Sequence, residues 1–377
     1  MPGLYVHVPF CVKKCAYCSF YSVTRLEMMD KFQKALIIEL ESRCKGRKPA
    51  TLYVGGGTPA IVSPEYWSRF IRRLKETADT SGLQEMTIEA NPDTVTAEKL
   101  ADLRQAGFNR LSMGVQSFHD DLLGTLGRVH DSERAAKAFE AASGAGFSNV
   151  SIDLIYGIPG QTLSGWMDDL EKAVELAPDH MSCYQLSLEK GTPLFDSVKK
   201  GLVSKPSRGT AADMYFAAHE HLVSCGFHHY EVSSYAGVEG KVSRHNSAYW
   251  ERKPYTGLGP SAHSFDGARS RSWNVDSVSD YVERLCNGES PEMGKEELTK
   301  EQSAMETIML GLRTSQGFDI VELKALTGFG VNTEYLKEMV RQGHAKIHGD
   351  VVRSTPRGML YADGNAVSLL SSIGSFD

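Results

Sequence analysis

The chain has 377 residues, of which 41% are hydrophobic and 23% charged, and its formal net charge at pH 7 is −6. That composition is ordinary for a globular protein, and the acidic balance gives a nucleic-acid partner no bulk electrostatic support. No stretch approaches the roughly 18 consecutive apolar residues that span a bilayer, so membrane insertion is not expected. The opening MPGLYVHVPF lacks the basic and long apolar regions of a signal peptide. The expected compartment is therefore the cytoplasm, where clustered cysteines suit metal binding or catalysis better than disulfides.

The first predicted strand, LYVHV (4–8), runs into a loop carrying Cys11, Cys15 and Cys18 at C-x3-C-x2-C spacing. A helix follows near 27–44, where Met29, Phe32, Leu36 and Leu40 share one face. TLYVGGG (51–57) is a strand ending in three glycines, and Ser63-Pro64 opens a helix as cap and first-turn proline. EMTIEANP (85–92), RLSMGVQSF (110–118), NVSIDLIYG (149–157) and HMSCYQLSL (180–188) read as four further strands. Helical segments near 96–106, 131–145 and 163–176 separate them. Strands alternating with helices imply a parallel α/β sheet. Six units fit a partial, open (β/α)6 barrel better than a closed eight-unit one. Gly55 to Gly57, Glu89, Gln116 and Asp153 fall at C-terminal strand ends, the edge where such sheets place their chemistry.

Beyond about residue 200 the pattern changes. A helix over 207–224 precedes an irregular stretch, 226–275, rich in aromatics and glycine. From about 296 three helical segments are followed by the two short strands of HAKIHGDVVRS and another helix, suggesting a winged-helix-like α+β module. The expected organisation is a barrel over 1–200, a barrel extension over 201–295 and a C-terminal module over 296–377. With this net charge, the winged shape alone does not imply DNA binding.

Three thiolates are one ligand short of a closed tetrahedral site. Zinc, with His7 as fourth ligand, is one reading, although structural zinc sites usually come as two separated ligand pairs. A short loop of cysteines alone suits an iron–sulfur cluster better, and three protein ligands to four irons leave one iron open to a small molecule. Cys44, Cys183, Cys225 and Cys286 are scattered and read as small apolar fillers.

The cysteine spacing after the first strand of a partial barrel resembles the signature of the radical S-adenosylmethionine (SAM) proteins. YVHVPFC, GGGTP, EANP, GVQSF, LGRVH, DLIYGIPGQT and the C-terminal module resemble, in order, the HemN/HemW branch of that superfamily. The resemblance covers nearly the whole chain. It implies a [4Fe-4S] cluster on Cys11, Cys15 and Cys18, with SAM chelating the open iron. It also implies a SAM site made of Tyr5, Tyr17, Gly56, Gly57, Thr58, Glu89, Gln116, Arg128 and Asp153. The side chains suit that ligand on their own terms: Asp153 and Gln116 can bind ribose hydroxyls, and Arg128 a carboxylate.

Two departures separate the chain from the oxygen-independent coproporphyrinogen III dehydrogenases of the branch. Those carry a fourth cysteine, C-x3-C-x2-C-x-C, where this chain has Phe20, and a longer segment before the first strand. Both departures are features of the heme-chaperone members. RHNSAYW (244–250) contains the H-N-x-x-Y-W pattern that such proteins are implicated in using for heme. Imidazole is a good axial ligand and aromatics give a porphyrin a flat apolar face, so His245 is the expected heme ligand and His263 a second candidate. His219 and His221, two apart on a helix, should diverge, and His228 and His229 should face opposite sides of a strand. The expectation is thus a heme chaperone that passes heme to acceptor hemoproteins, with cluster-dependent dimerisation also suggested. Its rival is a radical enzyme acting on a porphyrin: a coproporphyrinogen III dehydrogenase, a heme methylase or a ring-opening enzyme.

Overall fold

The computed structural model describes residues 2–237 and 240–370; the last seven residues of the expected C-terminal module, 371–377, lie outside that range. Six parallel strands form the centre in chain order: β1 (Gly3–Val8), β2 (Thr51–Gly56), β3 (Glu85–Ala90), β4 (Arg110–Gln116), β5 (Asn149–Tyr156) and β6 (His180–Gln185). Between them run α1 (Met29–Arg43), α2 (Pro64–Thr77), α3 (Ala97–Ala106), α4 (Asp120–Leu126), α5 (Ser132–Gly144) and α6 (Leu163–Glu175). Side chains alternate along each strand. Val6, Val54, Ile88, Met113 and Ile152 are fully buried in one core with Phe32, Trp67, Phe70 and Trp166 of the helices. The intervening positions, among them Tyr53, Glu89, Ser112 and Asp153, line the barrel bore. This is the partial (β/α)6 barrel expected from the alternation, and the helices start where their caps predict. Ser63 Oγ accepts from the Tyr66 amide (3.3 Å), with Pro64 in the first turn.

The chain continues through α7 (Pro193–Lys199) and α8 (Arg208–Ser224) into a region that is far from irregular, correcting the expectation for 226–275. It contains β7 (His228–Glu231), β8 (Ser234–Ala236), α9 (Arg244–Trp250), β9 (Tyr255–Leu258), β10 (His263–Phe265) and β11 (Ser270–Asn274). α10 (Val278–Cys286) and β12 (Glu292–Glu297) follow. These strands extend both edges of the barrel sheet, giving twelve strands in the order β12-β11-β10-β9-β1-β2-β3-β4-β5-β6-β8-β7. β9 lies parallel to β1, while β8 lies antiparallel to β6. Strands this short leave little periodicity to read, and they exist because long-range pairing satisfies their backbones.

A buried carboxylate ties the extension to the barrel. Glu39 on α1 accepts from Tyr281 Oη (2.6 Å), Asn274 Nδ2 (2.7 Å) and the Gly259 amide (2.8 Å). The C-terminal module consists of α11 (Lys300–Gly311), β13 (Phe318–Asp319), α12 (Ile320–Thr327), α13 (Thr333–Arg341), β14 (Ala345–His348), β15 (Val351–Ser354), α14 (Pro356–Leu360) and α15 (Ala362–Leu370). Its antiparallel sheet, β13-β15-β14, and its helices close over a separate core that includes Ile308, Phe318, Leu336, Met339 and Val352. Three helices and a small winged sheet, followed by the two helices α14 and α15, result. The large sheet runs through Glu297, so the module begins with α11. Among the described residues no helix is long and apolar enough to cross a membrane.

Candidate functional site

A cavity of about 460 Å3 opens at the C-terminal ends of the barrel strands. Cys11, Cys15 and Cys18 form one wall, and Tyr17, Gly56, Gly57, Thr58, Glu89, Gln116, Arg128 and Asp153 also face it. Residues from Cys11 to Asp153 converge there because the strands and the segments that follow them open on the same end of the barrel.

Backbone geometry prepares the convergence. A Cβ on Gly57 would stand 2.5 Å from the Phe10 carbonyl oxygen, so only glycine lets the β2 loop pass so close to the chain leading into the cysteine loop. At β4 the register with β5 shifts between Gly114 and Gln116, and Gln116 takes φ +70°. That left-handed state is uncommon for residues other than glycine and is typical of functional strain. Gly114 is empty for a reason: its Cβ would lie 2.7 Å from Gln116 Nε2 and 3.3 Å from Arg128 Nη2.

The polar groups form one network. Tyr53 Oη donates to Glu89 Oε1 (2.6 Å) and the Gly56 amide donates to Oε2 (3.1 Å). Burial nevertheless raises the Glu89 carboxyl to about 7, with Asp153 adding to the rise. Burial also raises Asp153, against hydrogen bonds from Ser112 (2.8 Å) and Ser151 (3.2 Å). Arg128 donates to Asn91 Oδ1 (2.8 Å), the Gly114 carbonyl (2.6 Å) and Cys15 Sγ (3.5 Å). Thr58 Oγ1 points at Cys11 Sγ (3.7 Å) and accepts from Asn91 Nδ2 (3.2 Å). Asn91 and Ser112 are site residues that the strand-end reading passed over. Asn91 lay in the EANP motif, and Ser112 sits one alternation before Gly114.

The cysteine loop fits a cluster. Burial raises the Cys11 and Cys18 thiols, and against it the Thr58 hydroxyl beside Cys11 and the Arg128 guanidinium beside Cys15 favour negative charge on sulfur. Among the described residues no three His, Cys, Asp or Glu side chains converge as ligands of a single metal ion. His7 is committed elsewhere, with Nε2 donating to the Tyr21 carbonyl (2.8 Å) and Nδ1 facing Tyr5 Oη (3.0 Å).

Two expected site residues lie outside this cavity. Tyr5 instead lines a separate aromatic cavity of about 320 Å3 beside β1, together with Phe20, Tyr21, Tyr249, Tyr255 and His263. Tyr5 pairs in register with Tyr53 on β2 and stacks on its ring at 6.2 Å, and of the two it is Tyr53 that lines the larger cavity. His245 does not face either cavity. It is 1% exposed at the opposite end of the barrel, near the strand starts, where the Glu85 carboxylate caps α9 by accepting from the Arg244 and His245 amides (2.9 Å each). Its Nδ1 pairs with Thr51 Oγ1 (2.8 Å) and its Nε2 with Tyr249 Oη (2.9 Å), while the ring stacks on Tyr53 at 5.1 Å. Burial, and behind it the charge of Arg110, lowers this imidazole to about 3. With both nitrogens paired to hydroxyls, His245, the expected heme ligand, is not presented to either cavity in this conformation. His219 and His229 meet across α8 and β7 with Nδ1 atoms 3.0 Å apart.

Comparison with known proteins agrees with this architecture. Residues 5–177 match the model of the radical SAM superfamily and residues 298–361 that of the HemN C-terminal domain. The heme chaperone HemW of Bacillus subtilis is 35% identical, the match covering 97% of this chain and 98% of that protein. The mitochondrial radical S-adenosyl methionine domain-containing protein 1 of Bos taurus is 33% identical over 98% of this chain and 88% of its own. Among solved structures, coproporphyrinogen III oxidase (HemN) from Escherichia coli superimposes with a TM-score of 0.83 at 23% identity, covering 98% of this chain and 90% of its own. That likeness is one of fold.

Proposed function

The chain belongs to the HemW family of radical SAM proteins, and on that premise we propose that it is a heme chaperone, binding heme and passing it to acceptor hemoproteins. The observation that carries the reading is the full-length similarity to heme chaperones. Phe20 supports it: where the dehydrogenases of the branch place a fourth cysteine, this ring is 67% exposed and can neither ligate iron nor donate a proton.

In this reading Cys11, Cys15 and Cys18 hold a [4Fe-4S] cluster. Tyr17, Gly56, Gly57, Thr58, Glu89, Gln116, Arg128 and Asp153 receive SAM, and Asn91 orients both Thr58 and Arg128. The cluster, when bound, supplies an open iron for the methionyl group and a source of electrons. The chain's own part is to bind and orient. Arg128 offsets thiolate charge, Asp153 and Gln116 present acceptors to hydroxyls, and the Glu89 carboxyl is buried close to its titration point. Cytoplasmic residence, and a homodimer that depends on the cluster, complete the proposal.

A radical enzyme acting on a porphyrin remains the second reading, favoured by the full set of polar groups around the larger cavity. The test offers heme to anaerobically reconstituted protein with SAM and a strong reductant. The Soret band is followed, and the porphyrin and adenosyl products are identified by mass spectrometry. Heme bound and recovered intact, with no heme-dependent consumption of SAM, is the expected result. Altered heme, or decarboxylated coproporphyrinogen in a parallel reaction, would establish the enzyme instead.

A further inference from the structure

Three imidazoles stand in or beside the aromatic cavity, and only one has nitrogens to spare. His7 donates from Nε2 to a backbone carbonyl and receives Tyr5 at Nδ1. His245 is paired at both nitrogens. His263, on β10, is exposed, and its ring nitrogens have no hydrogen-bond partner among the described residues. The ring lies nearly parallel to Trp273, with centroids 6.0 Å apart and planes 28° apart. It faces the cavity of about 320 Å3 whose walls are the rings of Tyr5, Tyr21, Tyr249, Tyr255 and Phe20. An aromatic-lined cavity with one uncommitted imidazole on its wall offers what a metalloporphyrin needs: ring faces for the macrocycle and a nitrogen for the metal.

Resting on the heme-chaperone reading, we propose that heme docks in this cavity with His263 as its axial ligand. His245 is then a positioning residue. Through Nε2 it holds the Tyr249 hydroxyl, and Tyr249 meets Tyr255 edge-on at 4.7 Å and 88° to form a wall of the cavity. Partial burial, with Arg271 adding to it, lowers the His263 imidazole from its ordinary range. Phe20 lines both this cavity and the one bearing the cysteines, so docked heme would lie against the loop that holds the cluster.

The experiment is an anaerobic titration of the full-length, cluster-loaded protein with ferric and ferrous heme, read by affinity, Soret position and spin state. His263→Ala should weaken binding by about tenfold or more and shift the spectrum towards that of heme without a histidine ligand, and added imidazole should restore it. Tyr249→Phe, which frees His245 at almost constant volume, should lower affinity only a few-fold and leave the ligand spectrum unchanged. A His263→Ala protein with wild-type affinity and spectrum would overturn the assignment, as would Tyr249→Phe changing the ligand spectrum. Wild-type protein that binds no heme would instead overturn the chaperone reading on which the assignment rests.

Discussion

The mouth and the floor of the barrel are both lined with polar side chains, yet they are organised in opposite ways. At the mouth, Glu89 and Asp153 are half-buried residues whose carboxyl pKa values desolvation raises, and they face open space. At the floor, His245 is almost wholly buried, and Thr51 and Tyr249 take both of its nitrogens while Tyr53 covers its face. A binding site keeps hydrogen-bonding capacity in reserve for a ligand. A structural plug uses its capacity up, because an unpaired buried polar atom costs about 1–3 kcal/mol. Tyr53 joins the two regions, stacking on His245 while donating to Glu89.

The largest expected effect breaks the mouth alone. Replacing Cys11, Cys15 and Cys18 together by alanine should remove essentially all iron and labile sulfide from anaerobically prepared protein. Far-UV circular dichroism and His245's environment at the floor should be unchanged. Retention of a full complement of iron would sink the cluster assignment.

A smaller effect comes from Glu89. Its carboxyl is raised from 4.5 to about 7 by burial, so the folded chain keeps a proton that the unfolded chain gives up. The stability contributed by that proton is whole below pH 4.5 and lost as pH rises through about 7. Glu89→Gln, which mimics the protonated acid, should match the apo wild type near pH 4 and exceed it by about 3 kcal/mol above pH 7. Urea denaturation across that range checks it; parallel curves for the two proteins would mean that Glu89 ionises normally.

The smallest effect probes the floor. Thr51→Val leaves His245 Nδ1 unpaired and should cost about 1–2 kcal/mol in denaturant midpoint analysis. Iron content and SAM affinity should stay at wild-type values, since the substitution lies at the far end of β2 from Gly56. Loss of SAM binding would show that the Tyr53 bridge carries strain from floor to mouth.

The amino-acid sequence by itself determined the six barrel strands, their helices and the end of each strand at which chemistry collects. Those features are local: alternation of period two, helical faces of period 3.6, caps such as Ser63-Pro64, and glycines and acids at strand ends. Most of the larger cavity was readable for that reason, from Cys11 to Asp153. What lies beyond was decided by pairing over long distances. The stretch 226–275 became strands on both sheet edges only because β1 and β6 had free edges to offer. Asn91 entered the site through partners 33 and 37 residues away. His245 and His263 look alike as histidines among aromatics, and only the fold distinguishes them. It surrounds one with two hydroxyls at the barrel floor and leaves the other unpaired on a cavity wall, a difference made by contacts that no local pattern encodes.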